Sequence, residues 1–401
     1  MLYDLIIIGA GAAGLFAAAN VPPENRVLVL EKAAAPGQKL LLTGNGQCNL
    51  TNAGDIADFL LRYGPNGKHL RPVLFPFSNL ALMAWFEDRG LPLTTRPDGK
   101  VFPASLDARD VLTLLLDQSR KNGVELRCNT PAIALTPING AFQIETPTDT
   151  LTARRILVTT GGASYPHTGS DGGFFACLEA LGIPLIPRRP ALCPVFVHDY
   201  PYSALSGISF AGCAITIGPL RAHGSLLLTH RGFSGPVILN NARSITQGAE
   251  LTINYLPNTD PTALRRTLLQ SATGSAQQII TLLETETHLP RRFLEHICQR
   301  ANRPPDTKAA RLGGPEMAQI ATLLTADSYT VSGLGGYQTA MATAGGVSLD
   351  EINLRIMSAK RYPNLHFAGE VLDIDGDTGG YNLQFAFSSA MKAMTTLGSP
   401  S

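Results

Sequence analysis

The segment Asp4–Lys32, DLIIIGAGAAGLFAAANVPPENRVLVLEK, constrains this chain more than any other stretch. Its apolar run from Leu5 to Ile8 is long enough for one buried strand and too short for a helix. Gly9, Gly11 and Gly14 follow at once in G-x-G-x-x-G spacing. The first glycine of that pattern permits a tight turn, the second lets a pyrophosphate approach the backbone, and the third lets the next helix pack closely on the strand. The helix predicted to start at Ala12 and Ala13 aims its free N–H groups and positive dipole end at the same place, which makes an anion site without a lysine. A second predicted strand, Arg26 to Leu30, delivers Glu31 and Lys32, and Glu31 stands 20 residues after Gly11. An acid there accepts hydrogen bonds from ribose hydroxyls and disfavours a 2′-phosphate. FAD and NAD remain as candidate ligands.

A chain of 401 residues exceeds the size at which one core keeps growing, so two or more domains are expected. Its 32 basic and 31 acidic residues give a net charge of +1, which supplies no general attraction to nucleic acid or anionic membrane. Neither is expected as a partner; a small-molecule substrate is. The N-terminal apolar stretch has no basic start, contains Asp4 and is cut by three glycines, so it reads as strand and helix and not as a signal or anchor. Six cysteines form no C-x-x-C pair and no metal-type cluster with the eight histidines. A cytoplasmic chain without a bound metal is the expectation. Oligomeric state is not readable.

Residues 37–52, GQKLLLTGNGQCNLTN, place Lys39, Leu40 and Thr43 ahead of a loop of Gly44, Asn45, Gly46, Cys48 and Asn49. Rich in backbone and amide hydrogen-bonding groups and poor in bulk, such a loop suits contact with a flat polar ring. A helical pattern is predicted for 65–85, an amphipathic helix for 109–119 and a strand for 125–133. The strand predicted from Arg154 to Thr160 runs into Gly161 and Gly162, where the backbone can return close to the dinucleotide. Near Pro187 the texture changes: 191–256 and 328–340 show β-type patterning around a helical stretch, 261–326, which reads as an insertion. No second glycine fingerprint occurs there, so NAD(P)H is expected at most as a transient electron donor. The segment 367–393, FAGEVLDIDGDTGGYNLQFAFSSAMKA, ends a strand in Gly369 and Glu370, with Asp373 three residues on. Gly379 and Gly380 then open a loop into a helix starting at Tyr381 or Asn382 and continuing through Leu383. A helix N-terminus at that point would stabilise negative charge on a reduced flavin. A distant C-terminal strand and helix recruited to an adenine-dinucleotide site favour FAD over NAD.

These motifs resemble the BaiN-like, or YhiN-like, family of bacterial flavoproteins over essentially the full length. The family loop GRKLLISGGGRCN corresponds to the segment from Gly37, with Gln38 and Gln47 where the family commonly carries arginine. TGGASYP at 160–166 matches TGG-x-SYP, the TGSDGG that follows also fits, and THRGFSGP at 229–236 matches TH-x-G-x-SGP. The C-terminal segment matches GE-x-LD-x-DG-x-TGGYNLQ-x-A. The resemblance implies an α/β fold: a doubly wound Rossmann-like FAD-binding domain of residues 1–190 and 341–401, with an inserted domain, 191–340, that is β-rich and carries a helical subdomain. It implies an NAD(P)H- or oxygen-linked oxidoreductase acting on a small organic substrate through flavin N5, and adenine contact by the backbone at Ile133. Cys48 matches the family cysteine, either as a thiol near the flavin or as a small buried residue supporting its loop. His230 is the candidate proton carrier, against the reading of a ring that fixes its loop by hydrogen bonds. A flavin-dependent RNA-modifying factor and a flavin-binding sensor without turnover stand as alternatives.

Overall fold

The computed structural model describes residues 2–257 and 259–397. It divides into two compact units, one of residues 1–191 and 337–401 and the other of 192–336.

The first unit is built on five parallel strands: β1 (Leu2–Ile8), β2 (Val27–Leu30), β3 (Glu125–Arg127), β4 (Thr150–Val158) and β5 (Leu365–Phe367). Their spatial order is β5-β4-β1-β2-β3, with Ile7 of β1 level with Val29 on one side and Leu157 on the other. The chain thus leaves β1 in both directions, and a ligand crevice opens beyond the carboxyl ends of such strands. Continuous apolar runs form β1 and β2 because both faces of the sheet are covered. Helix α1 (Ala12–Ala18) lies between the sheet and helix α3 (Tyr381–Leu397), and the Phe16 ring meets Trp85 and Phe387 at centroid distances of 4.6 and 4.9 Å. Helix α2 (Ala108–Lys121) buries Val111, Leu115 and Ser119 at helical spacing and is capped by Asp107, whose Oδ1 accepts from Arg109 N at 2.9 Å. The doubly wound α/β architecture expected from the sequence is present.

Two expected elements differ in detail. The helical pattern over 65–85 is broken into a short 3-10 turn at Gly64–His69 and helices at Arg71–Leu74 and Asn79–Glu87. Pro76 lacks an N–H, and Ser78 restarts the helix by accepting from Ala81 N. The strand expected over 125–133 ends at Arg127. Asn129 turns into the left-handed region with φ 53°, Pro131 cannot donate to a ladder, and the chain then enters an antiparallel hairpin, Ala134–Ile138 with Ala141–Glu145, that joins β4.

His366 on β5 is buried, and its Nδ1 lies 3.1 Å from the Ile356 carbonyl oxygen. Burial holds its imidazole down at about 4. A group depressed in the folded state stabilises above its ordinary value of 6.5 and loses that contribution as pH falls toward 4. We expect acidification across that window to cost on the order of 3 kcal/mol through this residue. Urea titrations of wild type and His366→Gln at both ends of the window check this: the substituted protein should show the shallower acid slope.

The second unit is a closed six-stranded barrel: Val195–Val197, Gly232–Ser234, Leu220–Leu228, Ser209–Ile217, Glu250–Asn254 and Asp327–Leu334, in spatial order. Helices Pro261–Ala272, Ile279–Thr287, Arg291–Arg300 and Gly314–Thr325 are inserted between its last two strands in the sequence. Apolar residues from both parts form one core, which includes Phe233, Tyr255, Phe293 and Ile320. Asp327 is buried within it and accepts from Tyr202 Oη at 2.6 Å and Tyr255 Oη at 3.2 Å. Both Asp327 oxygens also accept from the Arg300 guanidinium at 2.9 Å. This network fastens the third helix to the barrel.

Candidate dinucleotide site

A cavity of about 480 Å³ opens in the first unit at the carboxyl ends of β1, β2 and β4. That is within the ordinary size range of ligand sites. It runs from Glu31, Lys32 and Ile133, past Gly9–Ala13, to Gly369, Glu370, Asn382 and Leu383.

The three fingerprint glycines occupy different physical situations. A Cβ on Gly14 would lie 1.9 Å from the Gly9 carbonyl oxygen, so helix α1 reaches the sheet only without one. Gly9 itself, at φ +104°, is in the left-handed region and against the Thr159 carbonyl. A Cβ on Gly11 would meet nothing within 4 Å, because the position faces the cavity. That open cradle, at the start of α1, fits the diphosphate of a dinucleotide. Glu31 accepts from Ala10 N and Ala33 N, each at 2.8 Å, one on each carboxylate oxygen. These bonds fix the carboxylate at the rim of the cavity, and each oxygen keeps a lone pair for a ribose hydroxyl.

Lys39, Leu40 and Thr43 line the cavity. Gly44, Asn45, Gly46, Cys48 and Asn49 are not on its wall. The Asn49 carbonyl oxygen, with the side-chain amide turned to its satisfied orientation, accepts from Gly380 N at 3.0 Å. Thr51 Oγ1 donates to Gln384 Oε1 at 2.6 Å, and Gly380 packs so closely on Thr51 that a Cβ would come within 2.4 Å. The loop therefore positions the start of α3. Cys48 is fully buried, and burial pushes its thiol up to about 12, partly offset by a hydrogen bond from Thr43. A neutral thiol there supports the loop and supplies no thiolate near neutral pH.

Thr160 and Gly161 line the cavity, whereas Gly162 backs onto Thr343, whose Oγ1 accepts from Ala163 N at 2.8 Å. Glu370 lines the cavity and is held by Lys39 Nζ at 2.6 Å, Ser164 Oγ at 3.1 Å and Thr343 N at 2.7 Å. Asp373 is turned to Gly345 N at 2.9 Å and Asn66 Nδ2 at 3.2 Å and does not reach the cavity. Gly379, Gly380 and Tyr381 also stay off its wall, and Asn382 and Leu383, in the first turn of α3, form it. The backbone of Ile133 is already paired, its N–H to the Glu145 carbonyl and its carbonyl to Cys177 Sγ, so what it presents to the cavity is an exposed side chain. His230 is in the second unit, exposed in the turn between Leu220–Leu228 and Gly232–Ser234, and its ring makes no hydrogen bond among the described residues. Residues 168–173, with Thr130, Pro131, Met341 and Ala342, also line the cavity. The TGSDGG pattern was the visible signal for the first group; chain crossings alone bring in the others. Among the described residues no group of His, Cys, Asp and Glu could hold a metal ion, and no helix is long and apolar enough to cross a membrane.

The profile of the HI0933-like protein Rossmann domain matches residues 3–396. The chain belongs to the HI0933-like Rossmann family. That membership places it among the BaiN- and YhiN-like proteins, and it is an FAD-dependent oxidoreductase. HI0933-like relatives include the ribosomal RNA dihydrouridine synthase of Escherichia coli (strain K12), 30% identical over 97% of this chain and 96% of that one. The 3-dehydro-bile acid delta(4,6)-reductase of Clostridium scindens is 28% identical over 96% of this chain and 97% of that one. A 3-ketosteroid-delta4-(5alpha)-dehydrogenase from Rhodococcus jostii RHA1 shares the fold at TM-score 0.53 and 15% identity, covering 98% of this chain and 97% of that one.

Proposed function

We propose that this family member saturates an electron-poor carbon–carbon double bond conjugated to a carbonyl. The single observation that carries the reading is that two full-length relatives of different substrate are named for this one chemistry: dihydrouridine is uridine reduced at its ring double bond, and a delta(4,6)-reductase acts on double bonds conjugated with a 3-keto group. FAD, when bound, supplies hydride transfer, and NAD(P)H is the proposed source of the electrons. Gly11 and the start of α1 would hold the diphosphate, and Glu31 the adenosine ribose. The positive dipole end of α3, with Asn382 and Leu383 at the wall, would favour negative charge on the reduced ring. Glu370 is already neutralised by Lys39, so it would not oppose that charge.

Two substrate classes follow, and each has a full-length relative behind it: a uracil ring in ribosomal RNA, and a small enone. With net charge +1 the chain has no broad electrostatic pull on RNA, so the uracil reading requires a local recognition surface. The test is anaerobic. Protein loaded with FAD is reduced by NADH or NADPH, or by dithionite as a control, then mixed with unmodified ribosomal RNA or with a 3-keto-Δ4,6 steroid. Rapid reoxidation by one of them, with the saturated product found by mass spectrometry, is expected. Reduced flavin inert to both would overturn the double-bond reading and favour a sensor without turnover.

A further inference from the structure

The turn at 166–173 crosses the cavity wall beside Glu31: the Gly169 Cα region lies close enough that a Cβ there would be 3.5 Å from Lys32 Cε and 3.6 Å from Glu31 Oε1. Three contacts hold this turn. Asp171 pairs with Lys32, Arg188 Nη1 donates to the Gly172 carbonyl at 3.0 Å, and Thr168 Oγ1 donates to the Tyr165 carbonyl at 2.7 Å. Ser170 sits at the centre, 7% exposed, and its Oγ is buried with no hydrogen-bond partner among the described residues. Its hydroxyl lies over Gly161, where a Cβ would approach to 3.0 Å, and both residues line the cavity. Nearly every buried hydroxyl in a folded protein is paired, so one left unpaired in a residue of a cavity wall calls for a partner that a bound ligand can supply.

We propose that Ser170 is a cofactor-contacting residue for the adenosine half of the dinucleotide, and that the 166–173 turn is a clasp over that half, closed by the Lys32–Asp171 pair. The inference rests on the FAD assignment of the cavity and adds to it a contact that the glycine fingerprint does not contain. Oxygen acceptors of the adenosine ribose and the adjacent phosphate are the chemistry that a serine hydroxyl between Glu31 and Gly161 would meet. Lys32 and Asp171 are both partly exposed, so their pair is open to screening by salt and acts on retention more than on affinity.

The experiment uses full-length protein stripped of flavin, with FAD and ADP as probes, ADP representing the adenosine half. Ser170→Ala should weaken FAD and ADP alike, by about tenfold. It should leave the melting temperature of the flavin-free protein unchanged or raised, because the hydroxyl it removes has no protein partner. Asp171→Asn should speed FAD release by about threefold at low salt, and the difference should vanish at high salt. Wild-type affinity for both probes in Ser170→Ala, or a lowered melting temperature of its flavin-free form, overturns the contact. A wild-type protein that takes up ADP but no FAD overturns the parent assignment and the clasp with it.

Discussion

Gly11→Val yields a folded protein that remains colourless in excess FAD. The position faces open cavity, so the new side chain meets no protein atom within the reach of its Cβ and the sheet and α1 stay packed. What it fills is the space over the start of α1, where the diphosphate would accept hydrogen bonds from backbone N–H groups. Loss of two such charge-assisted bonds weakens binding by about 100-fold or more. Gly14→Val, three residues on, has the opposite character: its Cβ would sit 1.9 Å from the Gly9 carbonyl oxygen, and the first βα unit cannot close. Circular dichroism and flavin absorbance separate the two. Full yellow colour in Gly11→Val would remove the diphosphate from this turn.

Asp327→Ala costs about 3–5 kcal/mol of stability in the second unit. The aspartate is buried, and its two oxygens receive both terminal nitrogens of Arg300 as well as Tyr202 and Tyr255. Removal leaves a partly buried guanidinium and the buried hydroxyls of Tyr202, Tyr255 and Tyr329 without this acceptor, which is far more costly than the pair's net worth. Arg300→Met combined with Asp327→Leu should recover much of the loss, because two apolar side chains leave no charge behind. Urea denaturation of the three proteins checks the order. A single variant as stable as wild type would show that the network is not what fastens the helices to the barrel.

Much of the first unit was legible because its signals are local. The run Leu5 to Ile8, the spacing of Gly9, Gly11 and Gly14, and the acid at Glu31 each report a backbone requirement within one βα unit, and the fold class follows from them. Proline placement explains where periodicity misled: apolar residues over 65–85 keep a helical rhythm, yet Pro76 interrupts the hydrogen bonding that rhythm would need. The loop 43–49 carried an ambiguous signal. Its glycines and amides suit contact with a ring, but Asn49 is used to brace Gly380 and the backbone of Thr51, and Gln47 accepts from Arg96.

The amino-acid sequence by itself pointed to a dinucleotide site and to the family, because a glycine turn and a helix start are written within its first thirty residues and each later motif that carries the resemblance is contiguous. Only the tertiary structure decided which side chains reach the cavity. Glu370 lines it while Asp373, three residues away, turns to Gly345 and Asn66, and Ser170 comes to it unpaired. It likewise decided that six short strands close into a barrel around Asp327. The reason is common to both: which face a residue presents in a loop, and which strand closes a barrel, depend on partners tens to hundreds of residues distant, and no local spacing records them.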